Sequence, residues 1–107
     1  MSPFQNLETT TVKEVFPGWS GRMIHSERMT IVHYRALAGS PFAKHSHPHE
    51  QISNVIEGEM ELTIGDETRH CKAGDVAVIP PNVIHYGKAL TDCYVIDVFS
   101  PVREDYR

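Results

Sequence analysis

Nowhere in this chain do apolar residues recur at i, i+3, i+4 and i+7 over three turns between capping residues, so a helical core is not expected. Short runs rich in β-branched and aromatic residues recur instead, at 29–36, 51–56, 59–64, 68–71, 76–79 and 94–99. Each is bounded by turn formers such as Gly39-Ser40-Pro41, Gly58, Gly65-Asp66, Gly74-Asp75 and Pro80-Pro81-Asn82, where glycine permits positive φ and proline ends a ladder. Many short strands between tight turns predict an all-β sandwich or barrel. Residues 59–64, EMELTI, alternate acidic or polar with apolar side chains, so that strand is expected to bury one face and wet the other. Phe16-Pro17-Gly18-Trp19 reads as a turn carrying apolar anchors, and an edge strand there could be exchanged across a dimer.

A length of 107 residues suits one domain with one core: N-terminal strands and an arm over 1–38, a barrel over 39–100 and a tail over 101–107. Hydrophobic residues at 40% and charged residues at 22% match a chain that folds throughout. There is no apolar run long enough for a membrane span, and the start lacks a basic segment followed by an apolar one, so a soluble cytoplasmic protein with no membrane partner is expected. A formal charge of −4 offers no basic field for phosphate backbones, and nucleic acid is not expected as a partner. Cys71 and Cys93 lack any zinc or redox spacing and read as buried free thiols.

Seven histidines are many for this length, and three of them fall in KHSHPHEQ. On an extended strand residues i and i+2 point the same way, so His45 and His47 can aim two imidazoles at one point inside a barrel. Imidazole is a common ligand of first-row divalent metals. A further ligand must come from elsewhere, and His85 follows the stiff Pro80-Pro81-Asn82 turn, which can fix its direction. Alone, the HxH would read as a solvated histidine run. His49 and Glu50 are rival ligands, with Pro48 bending the chain before them, whereas His25, His33 and His70 read as surface or satisfied core positions. Glu57, Glu59, Glu61, Asp66 and Glu67 read as a solvated acidic face.

The wider register lifts the pair out of that background. Gly39, His45, His47, Gln51 and Gly58, followed by Gly74, Pro80, Asn82 and His85, fall at spacings that resemble the two conserved cupin motifs. The resemblance implies a single-domain cupin, a jelly-roll barrel of the double-stranded β-helix type. It also implies one divalent transition metal ion (nickel, iron, manganese, zinc or cobalt) held by His45, His47, Gln51 and His85. Gln51 stands where many cupins carry glutamate. An amide oxygen does not neutralise charge, so the metal would keep about two positive charges and bind an anionic oxygen ligand. Asn82 replaces a common glycine, and asparagine tolerates the left-handed conformation that such a turn requires.

In residues 94–99 alternation places Val95, Asp97 and Phe99 on one face, and a carboxylate among apolar neighbours must be paired or functional. Asp97 could close the barrel as an ion pair with Arg103 or Arg35, or look toward the metal while Arg103 clamps a substrate carboxylate. HSHPHEQ, LTIGDET, IPPNVIH and the ending DVFSPVREDY are together similar to the small KdgF-type cupins that linearise unsaturated uronates from pectin and alginate. That resemblance implies Asp97, Phe99 and Arg103 as catalytic residues, a small anionic sugar as substrate and an isomerase-type ring opening. It also implies a homodimer. A metal-dependent dioxygenase and a non-catalytic ligand- or metal-binding module are the alternatives on the same fold.

Overall fold

The computed structural model describes residues 2–107. Ten strands follow one another: β1 (Val12–Phe16), β2 (Trp19–His25), β3 (Thr30–Ala36), β4 (Pro41–His45), β5 (Glu50–Glu57), β6 (Glu59–Ile64), β7 (Glu67–Lys72), β8 (Val76–Ile79), β9 (His85–Ala89) and β10 (Cys93–Ser100). They form a six-stranded sheet in the order β1-β2-β3-β10-β5-β8 and a four-stranded sheet in the order β4-β9-β6-β7. All pairings are antiparallel. Among the described residues no helix is long and apolar enough to cross a membrane.

The core lies between the sheets, and side-chain alternation sets its membership. Val32, Tyr34 and Ala36 of β3, Val95 and Phe99 of β10, and Met60 and Leu62 of β6 are buried at every second position. All six strands expected from the sequence are present, with ends moved by at most two residues. Four others, β1, β2, β4 and β9, were not legible as strands. β2 carries two glycine-adjacent polar positions and β9 is a five-residue HYGKA, so neither shows clean alternation. Trp19 is buried and donates its indole N–H to the Ser40 carbonyl at 2.9 Å, which anchors the turn between β1 and β2 as its sequence suggests.

Two turns place the functional segments. Gly58, at φ 89°, links β5 to β6 where the chain leaves one sheet for the other, and a Cβ there would collide with the Asp92 carbonyl oxygen. Asn82 adopts φ 64°, the left-handed conformation expected of it, and its backbone N–H donates to the His47 carbonyl at 2.8 Å. The turn before His85 is thereby tied to the segment that carries His47. Cys71 and Cys93 are both buried free thiols.

Candidate metal centre

His45 is the last residue of β4 and His85 the first of β9, and the two are direct partners across that pair of strands. His47 does not share a strand with His45, as the i, i+2 spacing suggested: β4 ends at His45, and His47 lies in the connection that crosses to the other sheet. The crossing, rather than strand parity, brings its ring to the site. Ring centroids are 4.2 Å apart for His45 and His85, 5.0 Å for His47 and His85, and 5.8 Å for His45 and His47. One ligand nitrogen from each imidazole lies within 4.8 Å of the others. Three histidines so placed can hold a metal ion.

Hydrogen bonding sets which nitrogen points inward. His45 Nδ1 meets the Ala43 carbonyl at 2.6 Å, His47 Nδ1 the His49 carbonyl at 3.1 Å, and His85 Nδ1 the Val83 carbonyl at 2.9 Å. A carbonyl oxygen only accepts, so each Nδ1 carries the proton and each Nε2 presents a lone pair to the cluster. His85 Nε2 is buried without a hydrogen-bond partner. Burial, followed by the charges of Arg103 and His85, pulls His47 down to about 4, and burial likewise lowers His85. His47 and His85 are thus held neutral, the form that binds a metal.

Gln51, second residue of β5, brings its side-chain oxygen to 2.9 Å from His47 Nε2. Its nitrogen is turned the other way, toward Asp97 Oδ2 and Ser53 Oγ, each at 3.0 Å. Two acceptor atoms therefore face each other at hydrogen-bond distance with no proton between them, an arrangement that a shared cation relieves. A donor set of three imidazole nitrogens and one amide oxygen fits a divalent transition metal, and its charge would be left uncancelled. Glu50, by contrast, is exposed, and His49 contributes its backbone carbonyl.

The opposite wall comes from β10. Asp97 pairs across the ladder with Ser53 and Phe99 with Gln51. Ser53 Oγ–H donates to Asp97 Oδ1 at 2.6 Å. Burial pushes Asp97 up to about 6, against the opposing influence of Ser53, Gln51 and Arg103. Neither ion pair considered for Asp97 forms: Arg35 meets Glu57 on the surface, and Arg103 binds Asp105 through Nε at 3.0 Å and Nη2 at 2.7 Å. The Arg103 backbone N–H donates to Thr30 Oγ1 at 2.9 Å, which docks the tail over the barrel end. Its guanidinium lies over the rings of Tyr106 at 3.9 Å and Phe99 at 4.8 Å, and Nη1 is buried without a partner.

Asp97, Phe99 and Arg103 line the same cavity as His45, Gln51 and His85. The cavity has a volume of about 40 Å³ and is partly open to solvent. Three polar lining residues, Ser53, Tyr34 and Tyr106, do not stand out in the sequence as site residues. Period-two alternation from Gln51 points to Ser53, and the same alternation through β3 points to Tyr34. Tyr106 follows the last strand, where no periodicity reaches it.

The family model described as the Cupin domain matches residues 32–99. The chain is 34% identical to the pectin degradation protein KdgF of Dickeya dadantii over 98% of its own length and 91% of that protein. The structure of KdgF from a Halomonas species superposes with a TM-score of 0.90 at 30% identity, covering all of both chains. An RmlC-like cupin from Shewanella frigidimarina gives 0.92 at 30% identity, covering all of this chain and 97% of that one.

Proposed function

The chain belongs to the cupin family, among its KdgF-like members, and on that premise we propose that it is a metal-dependent enzyme opening the ring of 4,5-unsaturated uronate monomers from pectin or alginate to linear 5-keto-4-deoxyuronate. The observation that carries this reading is one cavity lined by two imidazoles of the three-histidine cluster, by a buried carboxyl group pushed up to about 6 and by a guanidinium with an unpartnered Nη1.

His45, His47, Gln51 and His85 would hold the metal. Bound there, it would supply a Lewis-acid charge that stabilises oxygen anions developing on the substrate. Ring opening removes the proton of the anomeric hydroxyl, forms the C1 carbonyl, breaks the bond from C1 to the ring oxygen and leaves an enolate that takes a proton at C4. No oxidant is consumed. Asp97, pushed up to about 6 by burial, is suited to move these protons as general base and then acid. Arg103 offers Nη1 to the substrate carboxylate, and Phe99 covers the sugar face.

The free thiols agree with a cytoplasmic location. A homodimer would use the outer face of the six-stranded sheet, where Ile24, Ile31, Val98, Ile52 and Val78 form one row in register across five strands. Of these, Ile52 and Val78 are exposed.

The direct test follows the ultraviolet absorbance of the conjugated double bond in unsaturated galacturonate, with oxygen monitored in parallel. Decay without oxygen uptake, lost on chelation and restored by a divalent metal, is the expected result. No decay above buffer with metal-loaded protein would overturn the uronate assignment, and oxygen consumption would instead favour dioxygenase chemistry.

A further inference from the structure

An amide is an ambiguous ligand. Its oxygen and nitrogen are nearly equal in size, and only the oxygen can donate electrons to a metal. What decides which end of Gln51 faces the imidazoles is on its far side. Both hydrogens of Gln51 Nε2 are taken, one by Asp97 Oδ2 and one by Ser53 Oγ, each at 3.0 Å. Ser53 Oγ is free to accept because its own hydrogen is committed to Asp97 Oδ1 at 2.6 Å. All three side chains are buried. A flipped amide would set its oxygen against a carboxylate and a hydroxyl lone pair and would turn two hydrogens toward three imidazole lone pairs.

We propose that Ser53, together with Asp97, is a positioning residue that holds Gln51 carbonyl-inward and thereby makes it the fourth donor of the metal centre. The strand register is what permits it. Gln51 and Ser53 are two apart on the inward face of β5, and Ser53 lies directly across from Asp97 on β10, so the three side chains close a triangle. This gives Asp97 a structural partner set that is independent of any proton it moves. The proposal rests on the metal half of the functional reading above and not on the uronate.

The test is cobalt(II) affinity of the full chain, by competition with a chromophoric chelator, together with the visible ligand-field spectrum of the cobalt-loaded protein. Ser53→Ala is expected to weaken cobalt binding about 10–100-fold, the usual effect of losing a partner that orients a ligand. Its spectrum is expected to move toward that of Gln51→Ala. In the Gln51→Ala background the same Ser53→Ala change is expected to cost less than about twofold, because nothing remains to orient. Ser53→Thr retains the hydroxyl and is expected to keep affinity, whereas Ser53→Val, isosteric with that threonine but without a hydroxyl, is expected to lose it. That Thr and Val pair decides the matter even if the Ala variant does not fold. Unchanged affinity in Ser53→Ala and Ser53→Val, or an equal loss with and without Gln51, overturns the positioning role while leaving the metal centre standing. Failure of the unaltered protein to bind cobalt overturns both. Neither outcome bears on whether a uronate is the substrate.

Discussion

Asp97 and Ser53 face each other across the β10 and β5 ladder, and a 2.6 Å hydrogen bond joins them. The carboxylate is therefore held by neutral donors and not by a cation, since Arg103 is committed to Asp105. A carboxylate so placed is free to exchange a proton with a ligand in the cavity. Asp97→Asn keeps an oxygen that can accept from Gln51 but cannot titrate. We expect turnover on unsaturated galacturonate to fall by about 10²–10⁴-fold, and cobalt affinity to fall less than about tenfold, because the Asn oxygen still accepts from Gln51 while the Ser53 hydrogen loses its acceptor. Turnover and chelator competition on the same preparation check both halves, and unchanged turnover would remove Asp97 from the chemistry.

The same residue shapes the pH dependence of the metal-free protein. Asp97 titrates near 6 in the folded chain against an ordinary 3.8, so between those values the folded state holds a proton that the unfolded state has released. Its contribution to stability falls as pH rises through that window. His47, lowered from 6.5 to about 4, has the opposite sign: the unfolded chain takes up the extra proton, and stability is lost as pH falls from 6.5 toward 4. His85, His33 and His49, also lowered, act with His47. Asp97→Asn removes the opposing contribution alone. Thermal scans of chelated protein should show the variant more stable than wild type at pH 7 and losing Tm more steeply below pH 6. Parallel curves would refute this account.

Much of the architecture was legible because period-two burial is strong wherever a strand packs between two sheets. The strand 94–99 reads correctly down to which face Asp97 occupies, and residues 59–64 read correctly as half-buried. β4 and β9 were not legible, since both are short and spend their inward positions on histidines rather than on apolar residues. Spacing identifies the histidines, yet strand parity is an incomplete reason for their meeting. His47 reaches the site through the crossing between sheets, a tertiary effect that strand parity does not contain. Ser53 was within reach of the same alternation, but a lone serine has no chemical signature until its cross-strand partner is known to be Asp97.

Charge at the centre is open to a direct test through Gln51. Gln51→Glu replaces a neutral oxygen donor by an anionic one beside three imidazoles, and its second oxygen takes the place of the amide nitrogen against Asp97 Oδ2, so the two carboxyl groups must share a proton. Divalent metal affinity should rise by about tenfold or more, because the added carboxylate attracts the cation. Turnover should fall, because the metal's remaining charge is smaller and because Asp97, sharing a proton with the new carboxyl group, is a poorer base. Isothermal titration with cobalt and the absorbance assay measure the two effects separately. A rise in both would mean that uncancelled metal charge is not what drives the reaction.

Arg103 should act mainly on binding. Its Nε and Nη2 are held by Asp105, and only Nη1 remains for a ligand, with the planar group set between Tyr106 and Phe99. Lysine has neither the fork nor the plane to reproduce this. A substrate carboxylate keeps its charge throughout ring opening, so its partner stabilises ground and transition states alike. Arg103→Lys is expected to raise KM about tenfold or more and to lower kcat less. A loss confined to kcat would instead place Arg103 at the reacting bonds.

The outer face of the six-stranded sheet yields the last expectation. Sheets wetted on one face normally place polar residues there, whereas Ile24, Ile31, Val98, Ile52 and Val78 align into a single apolar row, with Val76 exposed beside it. A straight row of similar side chains is self-complementary under a two-fold axis, as an isologous contact requires. Its centre is Val98 of β10, flanked by Ile31 and Ile52, so a charge there removes apolar contact on both copies at once. Ile52→Asp, at an already exposed position that the fold tolerates, should convert a dimer to a monomer in size-exclusion chromatography with light scattering, leaving cobalt affinity unchanged because the side chain points away from the cavity. A dimer that survives Ile52→Asp and Val78→Asp together would move the interface elsewhere.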